Sequence, residues 1–222
     1  DPPRRGRARL QALLEGPLRE CYARLGDIDP KDVPVLLCVA ENDRPGRLAG
    51  IDATLLNDTL KAIGVPANDK NVVIPYGRVG GIVALRDARN LIAAGAKKVI
   101  VAGVDSYLVA QTLGHYDRDD RVLTEANSNG FPAGEAGAAV VVGPPVGQDL
   151  QLLGLGFGRE IAHITSGEPM RADGVVAAMR DALGEAGLDF SEVDYRISDL
   201  NGEQYYFKEA ALAMTRVLRK RR

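Results

Sequence analysis

Three short apolar runs constrain the fold of this chain more than any other feature. "VPVLLCVAE" (33–41), "NVVIPY" (71–76) and "KKVIVAGVDS" (97–106) are almost continuously hydrophobic. A strand with one wet face alternates apolar and polar residues, whereas these runs suit strands buried on both faces. Between them lie "GIDATLLNDTLKAIGVP" (50–66) and "GGIVALRDARNLIAAGA" (80–96). The first is an amphipathic helix stopped by Gly64 and Pro66. The second carries Ile82, Leu85, Ala88, Leu91 and Ile92 on one stripe and stops at Gly95. Strand, helix, strand, helix, strand predicts an α/β fold with a mainly parallel sheet.

Residues 7–25 precede this core. Leu10, Leu13, Leu14, Leu18, Cys21, Tyr22 and Leu25 recur at helical spacing, and Pro17 is expected to kink or break the helix. After the third run, "YLVAQTLGHYDRDDRVLTEANSNGF" reads as polar and loop-rich. "PAGEAGAAVVVG" reads as a glycine–alanine hinge entering a strand at Val140–Val142, and "PPVGQD" (144–149) as a connector. The alternation then returns: "LQLLGLGFG" as strand, "ADGVVAAMRDALGEAGLD" as helix, "VDYRISD" as strand, "YYFKEAALAMTRVLRK" as helix. The expected division is 1–147 and 148–222, two halves of one compact unit.

The totals remove several function classes. Of 222 residues, 45% are hydrophobic and 26% charged, the balance of a water-soluble globular protein. A net charge of −2 offers no basic field for nucleic acid. No apolar run approaches the roughly 20 residues of a membrane span. Two cysteines, Cys21 and Cys38, make neither a disulfide framework nor a zinc site. Both read as packing residues in a reducing compartment, so the expectation is cytoplasmic, with no metal and no cofactor. The chain lacks a starting Met and stops directly after a helix, which suggests missing end segments and an incomplete second half.

Three local patterns, in order, resemble the thiolase-like superfamily, and most closely the β-ketoacyl synthases. They are "GGIVALRDARNLIAAGAKKVIVAGVDS", "NGFPAGEAGAAVVVG" (with Gly130, Phe131, Gly134, Glu135 and Gly137) and "ADGVVAAMRDALGEAGLDFSEVDY" followed by "KEAALA". "GREIAHIT" (158–165) is similar to the family's stretch after the first strand of the second half. The resemblance covers roughly residues 50–215 and implies a layered αβαβα architecture with mixed sheets.

It also implies chemistry that this chain does not supply. In the family a Cys thiolate at a helix N-terminus accepts an acyl group from a carrier thioester. Two further basic residues assist decarboxylation and hold the oxyanion. Aligning Leu91 and Ile92 puts the cysteine position at Arg78, or at Gly77 with a one-residue slip. The first family histidine falls at Asp199 counted from Asp194 and Tyr195, or at Ser198 counted back from Glu209. His115 and His163 read as structural histidines, and Ser106 and Ser128 have no evident histidine partner. No catalytic residue is therefore assigned.

Two readings remain for the polar residues left behind. Arg78, Asp199, Asn201 and Glu203 form a ligand- or partner-facing patch, or Arg78 pairs with a carboxylate and "DLNGE" is an Asn-Gly turn. "DLNGE" with "YYFKEAA" is similar to the thiolase-like proteins found alongside type VI secretion cargo genes in bacteria. That likeness implies an accessory role. The expected function is a pseudo-enzyme serving as adaptor, scaffold or chaperone-like partner, a homodimer as the family implies, with possible protein cargo. The alternatives are an acyl-transfer enzyme with a relocated nucleophile, acting on acyl-CoA or acyl carrier protein, and a non-catalytic binder of the same acyl or CoA groups.

Overall fold

The computed structural model describes residues 4–147 and 150–218. The expected connector 144–149 and the end of the last expected helix fall partly outside those residues. The chain divides into two compact units, Asp1–Tyr116 with Ala133–Gly147, and Asp117–Pro132 with Gln148–Arg222. The 117–132 loop thus groups with the second unit, although in sequence it precedes the 147/148 boundary.

In the first unit, β1 (Val35–Cys38), β2 (Val72–Ile74) and β3 (Val99–Ser106) run parallel, and β4 (Glu135–Val142) is antiparallel to β3. The order across the sheet is β2-β1-β3-β4. Side chains alternate across it, as the pleat requires. Val35, Leu37, Ile100, Ala102 and Val104 meet α1 (Gly6–Ala23) and α2 (Leu55–Ile63) through Leu10, Leu14, Leu18, Leu55 and Leu60. Leu36, Cys38, Val99 and Val101 meet α3 (Gly80–Ala93) through Val83, Ala84 and Ala88. Of the expected stripe, Ala88 is buried and Leu85, Leu91 and Ile92 pack at the edge of the same cluster, whereas Ile82 is exposed.

The helix α1 runs unbroken through Pro17. A proline lacks the N–H that would bond the carbonyl four residues earlier, here Leu13. Against that same carbonyl lies Gly137 of β4, where an added Cβ would sit 2.3 Å from the Leu13 oxygen. The glycine lets the strand backbone close on the carbonyl that the proline leaves without its helical partner. The expected glycine–alanine hinge is accordingly strand, since β4 begins at Glu135. The loop-rich stretch also contains a helix, α4 (Ala110–Arg118).

The second unit holds α5 (Asp173–Ala186) and α6 (Gln204–Leu218), joined through Val176, Ala172 and Ala213. The two strands expected at 150–158 and 193–199 do not form. The first segment lies on α5 instead. A Cβ at Gly154, Gly156 or Gly158 would come within 2.1, 1.8 and 1.8 Å of the carbonyl oxygens of Ala182, Ala178 and Gly174. Every second residue of an extended chain thus meets every fourth residue of a helix, two repeats of nearly equal rise. Apolar alternation made these segments extended, but a strand also needs a neighbouring backbone to bond, and no ladder reaches either among the described residues.

Candidate functional site

The turn between β2 and α3 carries Gly77 and Arg78, the expected nucleophile-equivalent position. It is a single 3-10 turn, Gly77–Val79, feeding directly into α3. Its shape is set by backbone bonds: Val39 N–H donates to the Ile74 carbonyl at 3.1 Å, and Gly77 N–H donates to the Val39 carbonyl at 3.1 Å. Gly77 has φ +50°, a left-handed conformation, and a Cβ there would lie 2.1 Å from Glu41 Oε2. The place of any side chain at 77 is taken by a carboxylate. Arg78 follows as an exposed side chain, flanked by the exposed Tyr76 and Val79.

The carboxylate belongs to a cluster that sequence reasoning missed. Arg44 is buried and forks onto Glu41, Nε to Oε1 at 3.0 Å and an Nη to Oε2 at 2.6 Å. It also bonds Asp105 at the end of β3 and lies 4.4 Å over the Tyr107 ring. Burial pushes the Glu41 carboxyl up, but the hydrogen bond and charge from Arg44 outweigh it and hold the group below its usual range. Burial likewise raises the Tyr107 hydroxyl to about 12, against the lowering by Arg44. The signal in the sequence was the three-residue spacing of Glu41 and Arg44. Its target, Asp105, is 61 positions from Arg44 and reachable only through the fold.

Beside the turn is an open hollow of about 400 Å³, walled by Cys38, Gly77, Gly81, Gly103, Ala138 and Val140 among others. Cys38 is thus nearer the turn than its strand position suggested, packed under Gly80. Burial pushes its thiol up to about 11, so at neutral pH it is a protonated, packed side chain.

The glycine segment serves packing. Phe131 is buried, its N–H donating to the Arg121 carbonyl and its carbonyl accepting from Leu123, both at 2.9 Å, with Gly130 backbone-close to Val122. The Gly134 carbonyl accepts from Tyr107 N–H at 2.9 Å. Glu135 takes Arg9 at 2.6 Å and the Ser106 hydroxyl at 3.0 Å. The Arg9 hydrogen bond is the main reason its carboxyl is lowered.

In the second unit, Ser198 and Asp199, the two residues expected at the family-histidine position, are exposed. Glu203 is only 2% exposed. Arg121 clamps it with two bonds of 2.7 and 3.0 Å, and the Asn201 amide adds one of 2.6 Å. Asn201 Oδ1 accepts from Glu203 N–H at 3.1 Å, the local turn that Asn-Gly predicted. Glu203 thereby ties the 117–132 loop to the start of α6. Arg78 lies in the first unit and Asp199, Asn201 and Glu203 in the second.

His115 belongs to the first unit and His163 to the second. His115 on α4 stacks edge-on to Tyr116 at 5.3 Å, and His163 is exposed beside Thr165 Oγ1 at 3.1 Å. Among the described residues no three His, Cys, Asp or Glu side chains gather as metal ligands, and no helix is long and apolar enough to cross a membrane.

No protein-family model matches the sequence, and no curated protein matches it. Solved structures do. The HMG synthase of the curacin biosynthetic pathway, in complex with an acetyl donor acyl carrier protein (ACP), is similar at a TM-score of 0.63 and 17% identity, over 96% of this chain and 52% of that one. A ketosynthase in complex with its type II PKS acyl-carrier protein is similar at 0.65 and 16% identity, over 90% and 60%. The ketosynthase from module 1 of the bacillaene synthase of Bacillus amyloliquefaciens FZB42 is similar at 0.64 and 13% identity, over 96% and 41%. The chain spans 41–60% of these three solved chains. Its fold is the thiolase-like fold of ketosynthases and HMG synthases.

Proposed function

We infer that this chain is a thiolase-fold protein without condensing activity, acting as an adaptor or scaffold. One observation carries the reading: where a condensing enzyme needs a thiolate, this turn has a left-handed glycine whose side-chain space is filled by Glu41, then an exposed arginine. A guanidinium stays protonated and does not attack a thioester. Cys38, the one thiol lining the hollow, is held protonated by burial. Partnership with secretion-system cargo, and a homodimeric state, are the finer parts of this proposal.

A second reading has its own support. The apolar hollow beside the turn and the carrier-protein complexes among the similar structures favour a non-catalytic binder of acyl carrier protein or acyl-CoA. The two readings separate in one experiment. The protein is incubated with acetyl-CoA and malonyl-CoA, and its intact mass and the released CoA thiol are measured. The expected result is no adduct and no release, and a stable acyl adduct overturns both readings in favour of a relocated nucleophile. A rise in melting temperature with CoA or a carrier protein, without turnover, selects the binder.

A further inference from the structure

Residues 193–197 have the pattern of a strand and join no ladder among the described residues. Val193, Tyr195 and Ile197 alternate with Asp194 and Arg196, the period of an extended chain with one apolar face. Val193 is extended (φ −87°, ψ 111°), and residues 193–200 carry neither helix nor turn. The apolar face is not covered by the chain itself: Val193 is 39% exposed, Tyr195 89% and Ile197 99%. Asp194 and Arg196 are exposed as well. Arg196 contacts the sulfur of Met214, a weak and neutral acceptor that does not balance its charge.

These residues are also their own complement. Side chains directly opposite across an antiparallel pair lie on the same face. With Tyr195 set opposite the partner's Tyr195, Val193 meets the partner's Ile197 and Asp194 meets the partner's Arg196. The two-fold axis repeats each contact, so unlike charges pair on both sides of it. Within this segment no other register matches both faces. An axis through Asp194 or Arg196 sets like charge against like. An axis between two residues sets apolar side chains against charged ones.

We propose that residues 193–197 form an antiparallel strand pair with the same residues of a second copy of this chain. The charges select this occupant, because the same segment, reversed, offers a guanidinium to Asp194 and a carboxylate to Arg196. The backbone groups of the two copies supply the ladder that the single chain lacks. A strand pair this short buries on the order of a few hundred Å², well under the roughly 1,200 Å² of a standard interface. The pairing is therefore weak, with a Kd on the order of 100 µM, and the segment stays single at micromolar protein. This contact gives the proposed homodimer a surface, and it does not depend on the absence of a thiol at the β2–α3 turn.

The test uses the full chain in sedimentation equilibrium, from about 10 µM to about 1 mM protein. The mean mass should climb from monomer toward dimer across that range. Asp194→Arg faces the partner's Arg196 with a like charge and should weaken the dimer about tenfold. The exchanged variant, Asp194→Arg with Arg196→Asp, restores both pairs and should return the Kd to within about threefold. Tyr195→Cys places two β-carbons within about 5 Å across the axis and should give a disulfide-linked dimer in air. Val193→Cys, whose own copy lies roughly 14 Å away along the strand, should not. The native Cys21 and Cys38 are buried and should stay reduced. All the substituted positions are exposed, so the variants keep the fold. A chain that is monomeric at every concentration overturns this contact and the homodimeric reading together. A dimer that ignores Asp194→Arg, is not restored by the exchange, or links through Val193→Cys rather than Tyr195→Cys overturns this contact alone and puts the homodimer on another surface.

Discussion

The two units start from the same sequence grammar and end differently. Both alternate apolar runs with amphipathic helices. In the first, the runs became a four-stranded sheet with helices on both faces. In the second, the helices formed and the runs stayed extended without pairing. A helix satisfies its own backbone, so it needs only a face to bury. A strand borrows its hydrogen bonds from another segment. The second unit gave one face of 150–158 to α5 through three glycines, and Leu150, Leu153, Tyr195 and Ile197 remain exposed.

Hydrogen exchange should show this contrast most strongly. Amides in the centre of β3 are expected to be protected by nearly the full stability of the unit. Those at 150–154 and 194–198 should exchange at least about a thousandfold faster. Comparable protection in the two sets would mean the second unit pairs its extended segments in solution. Core truncation should repeat the contrast on a smaller scale. Leu37→Ala empties a fully buried position between the sheet and α1 and should cost about 3 kcal/mol. Val176→Ala, in the thin core between α5 and α6, should cost about half that, near 1.5 kcal/mol. Urea titration of each variant measures both, and a larger loss at Val176 would reverse the ranking of the two cores.

Gly137→Ala sharpens the account of the sheet's packing. The added methyl meets the Leu13 carbonyl and should cost about 2 kcal/mol as overpacking. The double variant with Pro17→Ala would show whether proline and glycine act as a pair. An unchanged melting temperature in Gly137→Ala would mean α1 does not close on β4 so tightly.

The smallest effect is electrostatic. Glu41 and Glu135, both in the first unit, have carboxyls held below their unfolded value of about 4.3. Their contribution is present above that value and is lost as pH falls through the lowered folded values. Melting temperature should therefore drop below about pH 4, and Glu41→Gln should flatten part of that drop. A melting curve that keeps the wild-type acid dependence in Glu41→Gln would remove the Arg44 cluster from the explanation.

Much of the fold was legible because it follows from local rules. Two of the three buried runs, 33–41 and 97–106, the stops at Gly64 and Gly95, and the helices at 173–186 and 204–218 were all written in periodicity and punctuation. The run 71–76 instead became the edge strand β2 with Val72 exposed, because a strand at a sheet edge has one neighbour only. The helix α4 was hidden because its nine residues include Thr112, Gly114 and Asp117 and present a single buried position. In the stripe of α3 only Ile82 was misplaced, since Leu85, Ala88, Leu91 and Ile92 do pack in the cluster against the sheet, centred on Val83, Ala84 and Ala88. At the candidate site, the lack of a thiol at the turn was visible in the letters Gly77 and Arg78. The ion cluster beneath it was not, since Glu41, Arg44 and Asp105 come from two elements that only the sheet brings together.

By itself the sequence determined the helical segments other than α4, the apolar runs between them, and that neither Gly77 nor Arg78 can act as a thiolate. These are properties of single residues and of short-range spacing. Only the tertiary structure decided which extended segments became strands, that Gly137 closes on the carbonyl left by Pro17, and that Glu203 is a buried clamp rather than an open side chain. Each of those depends on which backbone or charge arrives from far along the chain, and no local pattern encodes that arrival.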